Sequence, residues 1–96
     1  MFEERKLRKI LLKLIDQAQG FGLPETDINN AKEFIKEGEY DCCLDILVQQ
    51  SYEYSIAINE QFYELVNEAA NKMKLPESGY VFLRELVKLP PLSGRS

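Results

Sequence analysis

The stretch EYDCCLDILVQQSYE, residues 39–53, decides the fold that this sequence predicts. On a helix with about 3.6 residues per turn, its apolar residues cover well over half of the circumference and its polar residues share the remaining arc. The apolar positions are Tyr40, Cys42, Cys43, Leu44, Ile46, Leu47 and Val48, and the polar arc holds Asp41, Asp45, Gln49 and Tyr52. An apolar arc this wide is typical of a helix that neighbours cover on several sides. The stretch therefore predicts the central helix of a bundle.

Two segments with helical periodicity precede the central one. In residues 4–18, apolar side chains recur every three or four positions, which predicts an amphipathic helix that glycines end. A second helix is predicted over about residues 27–37, where Thr26 has the residue type and the position of an N-cap. Gly38 offers the left-handed turn that commonly ends a helix, so the central helix follows almost at once.

Two more helices are predicted after the central one. Asn59 can cap the fourth helix, with Ile58 and Tyr63 at the spacing of a hydrophobic staple. The fifth helix opens at the LPES turn, residues 75–78, which offers a turn and a cap. It ends at the prolines in positions 90 and 91, because proline cannot continue a helix.

The length of the chain suits one domain. A chain of 96 residues can bury roughly two-thirds of the surface that its unfolded form exposes, enough to fold without metals or disulfides. The sequence therefore predicts an all-α fold, a single small bundle of about five helices in residues 1–90, with a disordered tail in residues 91–96.

The cysteines and the N-terminus indicate the compartment. Cys42 and Cys43 are adjacent and give no disulfide framework, which favours a reducing cytoplasm. Lys13 interrupts the apolar run ILLKLI, residues 10–15, and no small-residue cleavage site follows, so we predict no signal peptide. No run approaches the ~20 apolar residues that a membrane-spanning helix needs. We expect a soluble, cytoplasmic protein without a membrane partner.

The net charge of −4 conceals a strong asymmetry along the chain. Residues 1–20 carry five basic and three acidic groups, residues 21–70 carry two basic and eleven acidic groups, and residues 71–96 carry five basic and two acidic groups. The acidic middle segment repels phosphate backbones, so direct nucleic-acid binding is not expected and a basic partner is favoured. The alternative is that these acids only keep helix surfaces solvated.

No catalytic or metal site is predicted. The chain lacks histidine, the commonest general base and metal ligand. Cys42 and Cys43 supply half of a four-sulfur zinc site, and on a helix their side chains diverge by about 100°, so we expect buried packing residues. Asp41 and Asp45 share a helix face without a recognisable phosphate loop or oxyanion donors beside them. We predict no enzyme activity and no cofactor.

The chain has five tyrosines, an unusual number for its length. Tyrosine is favoured both in cores, where its hydroxyl finds a partner, and at protein interfaces. We expect Tyr40 and Tyr80 in the core and Tyr52 and Tyr54 at an interface.

Several short motifs appear together in a characteristic order. They are DINNAKEFI at residues 27–35, GEY at 38–40, LDILV at 44–48, IAINEQFYEL at 56–65 and YVFLRELV at 80–87. Over about residues 7–88 the chain resembles the Maf-type immunity proteins (MafI family), small bacterial antidotes to secreted polymorphic toxins. The cysteine pair is a departure, because small apolar residues such as alanine are expected there.

The resemblance implies a cytoplasmic immunity protein that binds and neutralises the C-terminal toxin domain encoded at its own locus. Toxins of such contact-dependent inhibition systems are frequently nucleases, including EndoU-like ribonucleases. An acidic antidote suits a nuclease, because a nuclease presents a cationic surface to phosphate that carboxylates can occupy.

The polar arc of the central helix and the acids of the fourth helix are the candidate partner-binding residues. They are Asp41, Asp45, Gln49, Tyr52, Glu60, Glu64 and Glu68. The alternative function is a generic helical adaptor that binds a peptide or helix in a groove between helices. The dependence on salt distinguishes the two functions. Only a partner bound through an electrostatic interface should associate much more slowly as ionic strength rises. The sequence leaves open the toxin, the surface that it covers and the oligomeric state.

Overall fold

The periodic segments of the sequence form helices in the structure. The computed structural model describes residues 4–88. The helices are α1 (Glu4–Phe21), α2 (Glu25–Lys36), α3 (Tyr40–Glu53) and α4 (Glu60–Lys72), followed by 3-10 helices at Glu77–Gly79 and Val81–Leu86. Within the described residues there is no strand, and Ile58 and Val87 form an isolated parallel bridge. The predicted all-α bundle is confirmed.

Helix α3 lies at the centre of the bundle, as its wide apolar arc predicts. It contacts α1, α2, α4 and the second 3-10 helix, and its contact with α2 is the most extensive in the bundle. Its buried side chains include Cys43, Leu44, Leu47 and Val48. Neighbours on several sides therefore cover most of the apolar arc, and Cys42 and Ile46 stay half-buried.

The core is built from the predicted helical stripes. Leu7, Leu11 and Leu14 of α1 are completely buried, and Phe62 and Val66 of α4 are buried with them. Burying a large apolar side chain contributes about 1.5–3 kcal/mol relative to leaving it exposed. These stripes therefore bring α1 and α4 together across the core.

Two predicted helix boundaries are confirmed by the backbone. Gly38 has a φ of +74°, the left-handed conformation that glycine adopts without strain, and Glu39 N donates to Phe34 O at 2.8 Å to close the turn. Asn59 caps α4, because its side-chain oxygen accepts a hydrogen bond from Phe62 N at 2.8 Å.

The predicted N-cap of α2 at Thr26 is wrong. The helix begins at Glu25, Pro24 occupies the N-cap position, and no side chain caps it. Asp27 N and Ile28 N both donate to Pro24 O, at 3.0 and 3.1 Å. Proline's fixed φ already suits the start of a helix, so the first turn forms two residues earlier than the side-chain signal indicates. Thr26 lies exposed inside that first turn.

Helix α1 ends beside the glycines that were predicted to end it, at Gly22 and not at Gly20. It runs through Gly20 and ends at Phe21, and Gly22 then takes the positive φ of +106°. The ring of Phe21 packs edge-on against Phe62, with centroids 5.7 Å apart. This aromatic contact offsets the weak helix preference of glycine.

The predicted fifth α-helix is instead two short 3-10 helices. Tyr80 N donates to Glu77 O and Leu83 N donates to Tyr80 O, both at 2.9 Å, so the bonds span three residues. A helix with about three residues per turn stacks Tyr80 and Leu83 on one side, and both are buried. We call residues 75–87 the 3-10 segment. The predicted stop at positions 90 and 91 and the predicted tail lie outside the described residues.

Candidate functional site

The polar arc of α3 is exposed, as predicted. Asp41, Asp45, Gln49 and Tyr52 all face solvent along the outer side of the helix. Asp41 lies in the first turn, where its Oδ1 accepts a hydrogen bond from Cys42 N at 2.9 Å. A carboxylate there also suits the positive end of the helix dipole. The row therefore presents fixed negative charge at the start of α3.

A surface groove of about 630 Å³ lies beside this row. Its lining comes from α2, α3 and the 3-10 segment: Phe34, Asp41, Cys42, Leu44, Asp45, Ile46, Val48, Gln49, Gln50, Leu75, Pro76, Gly79 and Tyr80. Two of these residues are acidic and none is basic. The groove therefore combines an apolar lining with a negative edge.

Tyr52, at the end of the α3 row, is held by the 3-10 segment. Its ring packs edge-on against Phe82, with centroids 4.8 Å apart, and its hydroxyl donates to a Glu85 carboxylate oxygen at 3.2 Å. The hydrogen bond to Glu85 raises the pKa of the Tyr52 phenol, because it favours the protonated form. Tyr52 is still 40% exposed.

The three acids of α4 do not share one environment. Glu60 forms an ion pair with Arg84, whose Nη1 lies 2.8 and 3.0 Å from the two carboxylate oxygens. Glu64 is exposed. Glu68 borders a second groove, of about 520 Å³, together with Lys6, Lys9, Ile10, Lys13 and Leu65. The α4 acids are therefore partly balanced by cations of other elements.

The 3-10 segment lies between the acidic row of α3 and the acids of α4. The Tyr80 hydroxyl donates to Asn67 of α4, while Tyr80 also lines the groove with Asp41 and Asp45 of α3. The guanidinium of Arg84 lies 4.4 Å above the centre of the Tyr63 ring on α4. The seven predicted residues thus occupy separate surfaces. The groove is lined by Asp41, Asp45 and Gln49, and the 3-10 segment is bound by Tyr52 and Glu60. Glu64 is exposed, and Glu68 borders the second groove together with lysines of α1.

The predicted core tyrosines are buried. Tyr80 is 3% exposed, and burial raises the pKa of its phenol. Tyr40 is 8% exposed, and its hydroxyl donates to Glu4 Oε2 at 2.7 Å, which raises the pKa of the Tyr40 phenol. Tyr54, predicted at an interface, is 52% exposed.

The prediction that both cysteines are buried packing residues is confirmed for Cys43 and wrong for Cys42, which lies at the edge of the core. Cys43 is completely buried, and burial raises the pKa of its thiol to about 12. Cys42 is half-buried in the groove, where burial and then the charge of Asp41 raise the pKa of its thiol. Both thiols are free. Neither has the depressed pKa that activates a cysteine nucleophile.

Clusters suited to metal binding are absent from residues 4–88, where no three His, Cys, Asp or Glu side chains come together as ligands. Over the same range, no helix is both long and apolar enough to cross a membrane.

Sequence reasoning missed the groove and the ion pair between Glu60 of α4 and Arg84 of the 3-10 segment. Leu75, Pro76 and Tyr80 come to α3 only through the packing of the 3-10 segment, and no local pattern signals this approach. It also missed Asp27, which is buried and accepts a hydrogen bond from Gln50 Nε2 at 3.2 Å. That contact joins α2 to α3 at the edge of the groove.

No protein-family model, no curated protein and no solved structure matches this chain.

Proposed function

We propose that this protein is a cytoplasmic immunity protein that binds and neutralises the C-terminal toxin domain encoded at its own locus. The toxin domain is a basic nuclease, of which an EndoU-like ribonuclease is one example. The observation that carries the proposal is the exposed row of Asp41 and Asp45 beside an apolar groove without basic lining. The resemblance of the sequence motifs to MafI immunity proteins supports the same role.

The physical basis is charge complementarity. A nuclease needs a cationic surface for the phosphate backbone, and carboxylates that occupy this surface compete with the substrate. Such charges also steer the two proteins together and raise the association rate. The acidic row of α3 provides these charges on a well-packed helix, so little ordering is needed on binding.

A group of basic residues lies on helix α1, which contributes nothing to the lining of the groove beside α3. Arg5, Arg8, Lys9 and Lys13 of α1 are exposed and lie on a different helix from the acidic row. A cationic toxin is repelled by α1 and attracted by α3. The charge distribution therefore orients the encounter as well as accelerating it.

The test is co-expression with the toxin domain of the neighbouring gene. We expect the wild-type protein to restore growth and to co-purify with the toxin domain. The control is the same toxin domain inactivated at its catalytic residue, which separates binding from survival. Continued toxicity together with no recoverable complex would contradict the proposal.

A helical adaptor is the second candidate function, and the groove beside α3 favours it. An adaptor would bind a peptide or helix through apolar contacts, with an affinity that changes little with salt. For the immunity protein, stopped-flow measurements should show an association rate that falls steeply between low and physiological ionic strength.

A further inference from the structure

We infer that the groove beside α3 receives an amphipathic helix of the partner, whose apolar side chains are flanked by lysine or arginine residues one turn apart. The inference rests on the proposed function, because the helix belongs to the toxin domain. It goes further by choosing one of the separate acidic surfaces and by stating the chemistry of the segment that binds there.

The apolar lining of the groove is the first reason. Cys42 and Ile46 of α3, Phe34 of α2 and Leu75 of the 3-10 segment are half-buried, so their apolar surface is only partly used by the core. The groove volume of about 630 Å³ lies within the range of pockets that hold ligands. A partner's apolar side chains gain free energy by covering this surface.

The charge at its edge is the second reason. Asp41 and Asp45 are one helical turn apart, which places their carboxylates about 6 Å apart along α3. No lysine or arginine is among the residues that line the groove. A partner helix with cations at positions i and i+4 matches this spacing, whereas an acidic segment is repelled.

The extent of the groove favours a helix over a single side chain. Its α3 lining runs from Asp41 to Gln50, about 13 Å along the helix axis. Two to three turns of a partner helix cover this distance. The α4 acids suit such a helix less well, because Glu60 is paired with Arg84 and Glu68 faces lysines.

Cys42 provides a direct reporter of occupancy. It lines the groove, whereas Cys43 is completely buried with a thiol pKa of about 12, so iodoacetamide should modify Cys42 alone in the folded protein. The rate at pH 9 is measured by mass spectrometry, and Cys42→Ala should remove the signal. A helix seated in the groove will shield Cys42 from the reagent.

The test uses two synthetic helical peptides of 18 residues that share a leucine stripe. One has lysines one turn apart on both sides of the stripe, and the other has glutamates at the same positions. We expect the lysine peptide at saturation to slow alkylation of Cys42 at least about fivefold, and the glutamate peptide to leave the rate unchanged. No slowing by the lysine peptide up to its solubility limit, or equal slowing by both, overturns the inference.

Paired neutral variants identify the charges involved. Replacing Asp41 and Asp45 with asparagine keeps the shape of the groove, and we expect it to weaken protection by the lysine peptide about tenfold. The matched control replaces Glu64 and Glu68 on α4 with glutamine, and this change should alter the protection of Cys42 by the lysine peptide by less than about twofold. An equal effect of the two pairs would overturn the choice of the α3 surface.

Two further outcomes separate this inference from its premise. If the lysine peptide shields Cys42 but the toxin domain does not bind, the groove assignment stands and the immunity function fails. If the toxin domain binds while Cys42 still reacts at its free rate, the immunity function stands and the groove assignment fails. Protection that rises with protein concentration alone would show that a second copy of the chain occupies the groove, which also overturns the inference.

Discussion

The adjacent residues Cys42 and Cys43 of α3 differ clearly in how deeply they are buried. A step of one residue turns the side chain by about 100°, which puts Cys43 in the core and Cys42 at the groove. The buried thiol is a small apolar packing group, and the half-buried thiol contacts solvent. The position of each cysteine on the helix, and not its residue type, therefore decides whether it packs in the core or lines the groove.

The first prediction concerns the packing of Cys43. Replacing Cys43 with alanine should lower the free energy of unfolding by about 1–2 kcal/mol, because it leaves a small cavity in the core. Cys42→Ala is the matched control and should cost distinctly less. Urea denaturation measures both, and equal losses for the two variants would be inconsistent with the burial of Cys43.

The second prediction concerns the helix caps. Asn59→Ala should destabilise the protein by about 1 kcal/mol, because it leaves Phe62 N without its acceptor. Thr26→Ala should change stability by less than about 0.5 kcal/mol, because Thr26 caps nothing and is exposed. Thermal and urea denaturation of the two variants measure this difference. A larger loss at Thr26 would mean that its hydroxyl caps α2 in solution.

At the scale of elements, the 3-10 segment determines which acids can act together. It packs against α3 through Phe82 and against α4 through Arg84, and so fills the space between the two helices. The acids of α3 keep an open groove beside them, whereas Glu60 of α4 is occupied by an ion pair. The candidate partner-binding residues of α3 and α4 therefore lie on separate surfaces.

The third prediction compares these two surfaces. Replacing Asp41 and Asp45 with lysine should reduce the association rate with the toxin domain at low salt by at least about tenfold, because attraction becomes repulsion. The same reversal at Glu64 and Glu68 should have a smaller effect. Stopped-flow fluorescence and growth of toxin-expressing cells measure the outcome.

The controls for this comparison concern folding and unrelated charge. Circular dichroism must show that each lysine variant keeps its helices, since all four positions are exposed. Replacing Lys74 and Lys88 with glutamate tests charge reversal outside the acidic row, and little effect is expected. If the α4 variant is the slower one, the interface lies on α4.

At the scale of the whole molecule, several buried groups keep their protons in alkaline solution, where the same groups in the unfolded chain would release them. Burial raises the pKa of the Cys43 thiol from 9.0 to about 12, and burial also raises the phenol pKa values of Tyr63 and Tyr80 above 10.0. Above pH 9 the unfolded state therefore binds fewer protons than the folded state. Stability must then fall as pH rises.

The fourth prediction is this loss of stability in alkali. The urea midpoint should be level near pH 8 and decline from about pH 9 toward pH 12, as the unfolded thiol and phenols ionise first. Cys43→Ala should flatten the decline between about pH 9 and 10, before the tyrosines contribute. A midpoint that stays constant up to about pH 10.5 would contradict the burial of these groups.

Local sequence determined the helices and the side of each that enters the core. The periodic stripes of α1 and α4, the cap at Asn59, the glycine turn at Gly38 and the exposed row of α3 are all confirmed. Each depends on residues within one or two turns of each other, so the sequence contains the required information.

Tertiary structure alone decided the groove, the 3-10 geometry and the separation of the acids. Leu75 lines the groove together with residues of α3. Arg84 pairs with Glu60, which is 24 positions away in the chain. The same apolar spacing at Tyr80 and Leu83 fits an α-helix or a 3-10 helix, and packing against the bundle selects the second. Contacts between distant segments depend on how whole elements fit together, and no local periodicity records that fit.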